Sequence, residues 1–124
     1  NGAVVTSSKV VKIDKPLVSF LSSVPKKTLE CLKKNVPSNV PGVAFLSGGQ
    51  SEIEYSKNLN EINKINDTNF LITFSYGRGL QASALKAFGK DQNNQNNIQK
   101  AFDHRAKMCS LAAQGKWSEK IENS

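Results

Sequence analysis

The sequence predicts an α/β fold in which parallel strands alternate with helices, and three observations predict it. Two apolar runs, Gly42-Val43-Ala44-Phe45-Leu46 and Phe70-Leu71-Ile72-Thr73-Phe74, lack the polar alternation of a half-exposed strand. They read as strands buried on both faces, as in a parallel sheet. Each run stops abruptly at a compact turn that contains glycine, Ser47-Gly48-Gly49-Gln50 and Ser75-Tyr76-Gly77-Arg78-Gly79. A helix signal follows each turn, and strands separated by helices are the signature of βα units.

The elements follow in order. Short apolar runs at 3–5 and 10–13 read as strand, and 15–23 as loop. Ser22 or Ser23 can cap a first helix with Pro25 in its first turn, where a missing N–H costs nothing. Leu29, Leu32 and Val36 recur at helical spacing, and Pro37 and Pro41 end the segment. After the first buried strand, Ser51 and Glu54 have the spacing of a capping box, and Ile53, Leu59, Ile62 and Ile65 supply an apolar helical face. Residues 66–69 form a turn cluster before the second buried strand. A helix over 80–88 is expected to stop at Gly89, and an amide-rich patch occupies 92–97. A last helix over 96–114 is expected to carry Ile98, Phe102, Cys109 and Leu111 inward and to be capped by Gly115. Residues 118–124 read as a tail, with Trp117 as its anchor, after a domain spanning 1–117.

Composition excludes several functions. The chain has 124 residues, which fits one ordinary domain with a hydrophobic core. No apolar run approaches the ~20 residues that span a bilayer, and no signal peptide opens the chain. The first residue is Asn1 rather than Met, the mark of a chain that is processed, tagged or cut from something longer. Cys31 and Cys109 lie far apart, and His104 is the one histidine, so no zinc-ligand cluster exists. Two free thiols fit a reducing compartment, and a cytoplasmic location is expected. With 17 Lys+Arg against 10 Asp+Glu the net charge is +7. The lysines are scattered and no aromatic-plus-basic stripe accompanies them, so nucleic-acid binding rests on charge alone and is not expected. A basic surface also suits small anions such as phosphates.

The chemistry is expected at the two glycine-containing turns. Glycine lets backbone N–H groups approach an anion without a Cβ in the way. The helix that follows adds partial positive charge at its N-terminus, and Arg78 adds a charge-assisted contact that can be bidentate. Either turn alone reads as a tight connection and nothing more. The pair, with Ser47 and Arg78, points to a phosphate cradle on adjacent strands.

These residues also resemble a known family. Val40-Pro41-Gly42-Val43-Ala44-Phe45-Leu46-Ser47-Gly48-Gly49-Gln50-Ser51-Glu52 is similar to the seventh-strand signature of class I fructose-bisphosphate aldolases, with Asn58, Leu59, Asn60, Ile62 and Asn63 matching the helix after it. The segment from Thr73 through Ser75-Tyr76-Gly77-Arg78-Gly79 to Leu85 resembles the eighth-strand signature and its helix. Arg105, Ala106 and the run to Gly115-Lys116-Trp117 resemble the following helix. The resemblance is strong over 36–117 and weak before it. It implies a partial TIM (β/α)8 barrel holding strands six to eight with their helices and a C-terminal helix. It also implies that Ser47, Gly48, Gly77 and Arg78 hold a phosphate of a sugar phosphate, with Gly49, Ser75 and Tyr76 nearby, and that no cofactor or metal is needed. Loops after the seventh and eighth strands commonly form a phosphate site in such barrels. A complete barrel takes about 250 residues, so the remaining strands are expected from a longer chain or a partner subunit, in an oligomeric assembly.

The resemblance also exposes what is missing. The family reaction, cleavage of fructose 1,6-bisphosphate into dihydroxyacetone phosphate and glyceraldehyde 3-phosphate, passes through an imine on a sixth-strand lysine. Counting back from Pro41-Gly42 places that setting on residues 1–8, where Thr6 stands at the lysine position. Thr6 cannot form an imine. Lys9 would fall on the opposite face of a strand, and Lys12 lies about 20 Å further along an extended chain. Matching the Lys15-Pro16 pair instead demands a large deletion before Pro25. The chain also ends Glu122-Asn123-Ser124, without the family's terminal tyrosine. No aldolase activity is therefore expected of this chain alone. The competing expectation is a catalytically dead aldolase-derived subunit with a structural or scaffolding role.

Overall fold

The computed structural model describes residues 24–124. The expected strands at 3–5 and 10–13, the loop at 15–23, the Ser22 or Ser23 cap and Thr6 all lie outside the described residues. The elements run α1 (Val24–Asn35), β1 (Gly42–Leu46), α2 (Glu52–Lys64), β2 (Leu71–Ser75), α3 (Arg78–Lys90), α4 (Gln95–Ala113) and α5 (Glu119–Glu122). Among the described residues the sheet has two strands, β1 and β2, which pair in parallel with Gly42 opposite Leu71 and Leu46 opposite Ser75. Gly42 is required by that pairing, because a Cβ there would stand 2.8 Å from the Leu71 carbonyl oxygen.

Helices α2 and α4 cover one face of the sheet. Ile72 and Phe74 of β2 are buried there with Leu59 and Ile62 of α2 and Met108, Cys109 and Ala112 of α4. Leu29 and Leu32 extend this core through α1, and Phe45 meets Phe74 edge-on at 6.4 Å between ring centroids. The expectation that both strands are buried on both faces is corrected here. β2 alternates, and Leu71 is 78% exposed while its neighbour Ile72 is 2% exposed. The apolar residues of the second face are present, and no described element covers them.

Side chains fix the elements against one another. The Asn63 amide donates to the carbonyls of Leu59 in α2 and Ile72 in β2, both at 3.1 Å. The Asn60 side-chain oxygen accepts from the Trp117 backbone N–H at 2.9 Å, which draws the end of α4 onto α2. Ser51 and Glu54 form the expected capping box, with Glu54 N–H to Ser51 Oγ at 3.2 Å and Ser51 N–H to Glu54 Oε2 at 2.7 Å. Gly115 takes the left-handed conformation, φ 68°, just after α4, as its position predicts.

Four expectations change in detail. Leu59 and Ile62 of α2 face inward as expected, but Ile53 and Ile65 are half-exposed and Tyr55 joins the inward face in their place. Helix α3 passes through Gly89 to Lys90, since glycine inside a helix costs only about 1 kcal/mol against alanine. It ends at Asp91, whose carboxylate accepts from the Asn93 N–H at 3.1 Å and turns the chain. On α4, Phe102 is 39% exposed, and the inward stripe is Arg105, Met108, Cys109 and Ala112. Finally, the segment expected as a tail contains α5, which returns to the body through Glu122 and Trp117.

Candidate functional site

The parallel register of β1 and β2 brings their C-terminal ends side by side, and with them the two turns. They border one cleft of about 960 Å³, lined by Ser47, Gly48, Gly49, Ser75, Tyr76, Gly77 and Arg78 together with the first residues of α2 and α3. All the site residues expected between 47 and 78 therefore converge.

They do not all contribute alike. Ser47 is buried, and both its N–H (3.3 Å) and its hydroxyl (3.2 Å) donate to the Ser75 carbonyl. It ties the two strand ends together and so fixes the spacing of the turns. Gly48 and Gly77 border open space, since a Cβ on either would meet nothing within 4 Å. Gly49 makes the turn itself, with φ 82°. Arg78 is exposed at the first position of α3.

The two helix N-termini differ chemically. That of α2 is self-satisfied, because Ser51 accepts from Glu54 and the Glu54 carboxylate bonds the Ser51 N–H. That of α3 starts at Gly77, which offers no side chain to accept from the first N–H groups. A helix leaves its first four N–H groups without intrahelical acceptors and concentrates positive potential there. The α3 end, with Arg78 on it, is therefore the electropositive end of the cleft.

Tyr76 turns away from this chemistry. Its ring packs on Tyr55 at 5.0 Å and Phe74 at 6.2 Å between centroids, and its hydroxyl is enclosed beside Cys109. Burial, reinforced by Cys109, pushes the phenols of both Tyr55 and Tyr76 well above their ordinary value, so both stay neutral. Burial likewise raises the Cys109 thiol, which keeps it protonated and unreactive.

Behind the cleft lies a charged cluster that the sequence reading passed over. Arg105, 2% exposed, sends Nη2 to both carboxylate oxygens of Glu122, at 2.6 and 2.8 Å. Its Nη1 lies 3.6 Å from Glu52 Oε2, and its guanidinium sits 5.8 Å from the Tyr55 ring centroid. Glu52 in turn accepts from the Ser83 hydroxyl at 2.7 Å and the Ser83 N–H at 3.1 Å. Trp117 Nε1 donates to Glu122 at 2.7 Å, and His104 Nε2 is 3.3 Å from it. Arg105, Met108, Cys109 and Ala112 recur at i, i+3, i+4 and i+7, so the spacing carried a signal for a buried arginine.

Comparison with known proteins decides the family. The profile described as "Glycolytic: Fructose-bisphosphate aldolase class-I" matches residues 4–124. This chain belongs to the class I fructose-bisphosphate aldolase family. It is 52% identical over 103 residues to fructose-bisphosphate aldolase C of Rattus norvegicus, covering 82% of this chain and 28% of that protein. It is 39% identical over 118 residues to the fructose-bisphosphate aldolase of Dictyostelium discoideum, covering 94% and 33%. Among solved structures, the fructose-bisphosphate aldolase of Plasmodium falciparum, crystallised in a ternary complex with TRAP and a small molecule inhibitor, superposes with a TM-score of 0.67. That match is 44% identical and covers 79% of this chain and 28% of the other. This aldolase-family chain thus spans about a quarter to a third of the length of the relatives it matches. The described part has the mixed α/β architecture of its aldolase neighbour, and no described helix is long and apolar enough to cross a membrane.

Proposed function

We propose that the cleft between the β1 and β2 turns binds a phosphate group of a sugar phosphate. The observation that carries this reading is the α3 N-terminus: a glycine cap with no side-chain acceptor, flanked by Arg78, on a cleft whose opposite wall is the open Gly48 turn. In this reading the backbone N–H groups at Gly48 and Gly77 donate to phosphate oxygens, and Arg78 supplies a charge-assisted contact. Ser47 sets the width of the cradle through Ser75. The chain contributes the sixth to eighth strands of an aldolase barrel, and the remaining strands come from a longer polypeptide or a partner in a cytoplasmic, oligomeric assembly.

The same reading assigns no aldolase activity to this chain alone. Thr6 stands where the family's imine-forming lysine is expected, and a hydroxyl cannot condense with a ketone to give an imine. Two experiments test the proposal. With the barrel completed by the longer polypeptide or the partner, titration with inorganic phosphate and with dihydroxyacetone phosphate, followed by calorimetry, should show weak binding that Arg78→Ala abolishes. Borohydride treatment in the presence of dihydroxyacetone phosphate, read by intact mass, should leave the chain unmodified. Unchanged affinity in Arg78→Ala removes the phosphate reading, and a covalent adduct removes the assignment of Thr6.

A second reading, a catalytically dead subunit kept for assembly, is favoured by the sheet face that no described element covers, where Leu71 is 78% and Leu46 63% exposed. An apolar face of that kind is satisfied by packing against further structure. Binding of phosphate with no adduct, by a protein that elutes as a larger assembly, fits this reading. A protein that elutes as a monomer with the same stability at all concentrations excludes it.

A further inference from the structure

We infer that Arg105 is a positioning residue for the anion cleft, acting on both of its walls through Glu52 and Tyr55 and held in place by Glu122. The inference rests on the phosphate reading above and adds to it a set of residues outside the cleft's chemistry.

The geometry is specific. In an α-helix the carbonyl of one residue and the N–H four residues later are partners. In α3 such a pair is the Gly79 carbonyl and the Ser83 N–H, and both are reached by side chains of α2. The Tyr55 hydroxyl donates to the Gly79 carbonyl at 2.6 Å, and Glu52 Oε1 accepts from the Ser83 N–H at 3.1 Å. The two grips hold one turn of α3, the turn that begins beside Gly77 and Arg78. Both gripping residues converge on Arg105: Nη1 is 3.6 Å from the Glu52 carboxylate, and the guanidinium lies 5.8 Å from the Tyr55 ring centroid. Glu52 is also the first residue of α2, just after the Ser47-to-Ser51 turn. One buried cation therefore fixes the start of α2 and the first turns of α3 together.

Glu122 completes the arrangement. Arg105 is 2% exposed, and a buried cation needs a close counter-charge. Glu52 is committed to Ser83, so the shorter contacts come from Glu122 at 2.6 and 2.8 Å. Trp117 Nε1 holds Glu122 from the other side at 2.7 Å. The geometry of the phosphate cradle is thereby made dependent on α5, distant from it in sequence.

The test uses Glu122→Gln in the full chain, because glutamine keeps the shape and an acceptor oxygen for Trp117 and Arg105 while removing the charge. Glu52→Gln is its companion variant, and Arg78→Ala marks loss of the anion contact itself. Inorganic phosphate is titrated against isotope-labelled protein, reading the backbone amides of Gly48, Gly77 and Ser83, with the unfolding midpoint measured on the same samples. Glu122→Gln and Glu52→Gln should each weaken phosphate binding by about threefold to tenfold and shift the Ser83 amide before any phosphate is added. Arg78→Ala should abolish binding and leave the Ser83 amide in place. Full wild-type affinity in folded Glu122→Gln and Glu52→Gln, with binding still lost in Arg78→Ala, overturns the positioning role and leaves the phosphate reading standing. Failure of the unmodified protein, with its barrel completed, to bind phosphate overturns both. Should Glu122→Gln not fold, Glu52→Gln alone decides by the same comparison.

Discussion

The Tyr55 hydroxyl donates to the Gly79 carbonyl at 2.6 Å, and the same ring occupies the space that a side chain at position 79 would need. A Cβ on residue 79 would stand 2.8 Å from Tyr55 Cε1, a distance that real Cβ contacts do not show. Tyr55 has no room to give way. It is fully buried, packed at a tilt against the Tyr76 ring and flanked by Arg105. The pair is thus a size match between two helices, with glycine on α3 admitting an aromatic ring from α2.

Gly79→Ala should therefore lower stability by about 1–3 kcal/mol, the usual penalty for overpacking a closed core. The cost should fall away when Tyr55 is also replaced by alanine, since the methyl then enters the space the ring has left. A double-mutant cycle measured by chemical denaturation should give a coupling of at least about 1 kcal/mol. Additive effects would show that residue 79 and the ring do not share that space.

Glu122 gives the fold a pH dependence of known sign. Burial opposes its charge, but hydrogen bonds from Trp117 and Arg105, and the Arg105 charge, outweigh it and hold the carboxyl below its ordinary value of 4.5. The unfolded chain therefore binds this proton more tightly than the folded one. The stabilisation is complete above the unfolded value and is lost as pH falls through the depressed folded value. Denaturation midpoints of the unmodified protein should drop on acidification below pH 4.5, and Glu122→Gln should flatten that part of the profile. A profile of unchanged steepness in Glu122→Gln would assign the acid sensitivity to other carboxylates.

Replacing Arg105 by methionine removes the cation and leaves the Glu122 carboxylate, 9% exposed, without its main partner. Breaking a buried pair in this way costs about 3–5 kcal/mol. The double replacement Arg105→Met with Glu122→Gln removes the stranded charge and should recover a large part of that loss. Equal loss in the single and double variants, by thermal unfolding, would mean that arginine packing rather than charge pairing holds α5 to the body.

The sequence disclosed the features that are local and missed those that depend on distant partners. The Ser51–Glu54 capping box and the Gly115 stop are written in neighbouring residues, and both appear where expected. The convergence of Ser47 with Ser75 was legible because two strand ends in parallel register must bring their turns together. On α4, Cys109 and Leu111 face the core as expected, but Phe102 was ranked above Arg105 because phenylalanine is the more apolar and hydrophobicity alone ranks it for the core. The spacing of Arg105 with Met108, Cys109 and Ala112 places it on the inward stripe, but its charge partners Glu122, 17 residues away, and Glu52, further still, are announced by no local pattern. The one-sided burial of β2 was missed for a related reason: an unalternated apolar run states that both faces are apolar, and not which described element covers them.

Gly48 and Gly49 allow the turn-making role of glycine to be separated from its role toward an anion. Gly49 has φ 82°, a conformation that an L-residue adopts at a cost of about 1–2 kcal/mol, so Gly49→Ala should destabilise the protein whether or not phosphate is present. Gly48 carries no such positive φ, and a Cβ on it would meet nothing within 4 Å. Gly48→Ala should therefore leave stability within about 0.5 kcal/mol of the unmodified protein. The added methyl would nevertheless stand at the mouth of the cleft, beside the backbone N–H groups proposed to meet the phosphate oxygens. Phosphate affinity should fall in Gly48→Ala while the melting temperature holds, and calorimetric titration alongside thermal unfolding reads both. Wild-type affinity in Gly48→Ala would mean that the turn after β1 stays clear of the anion and that the α3 N-terminus with Arg78 binds it alone.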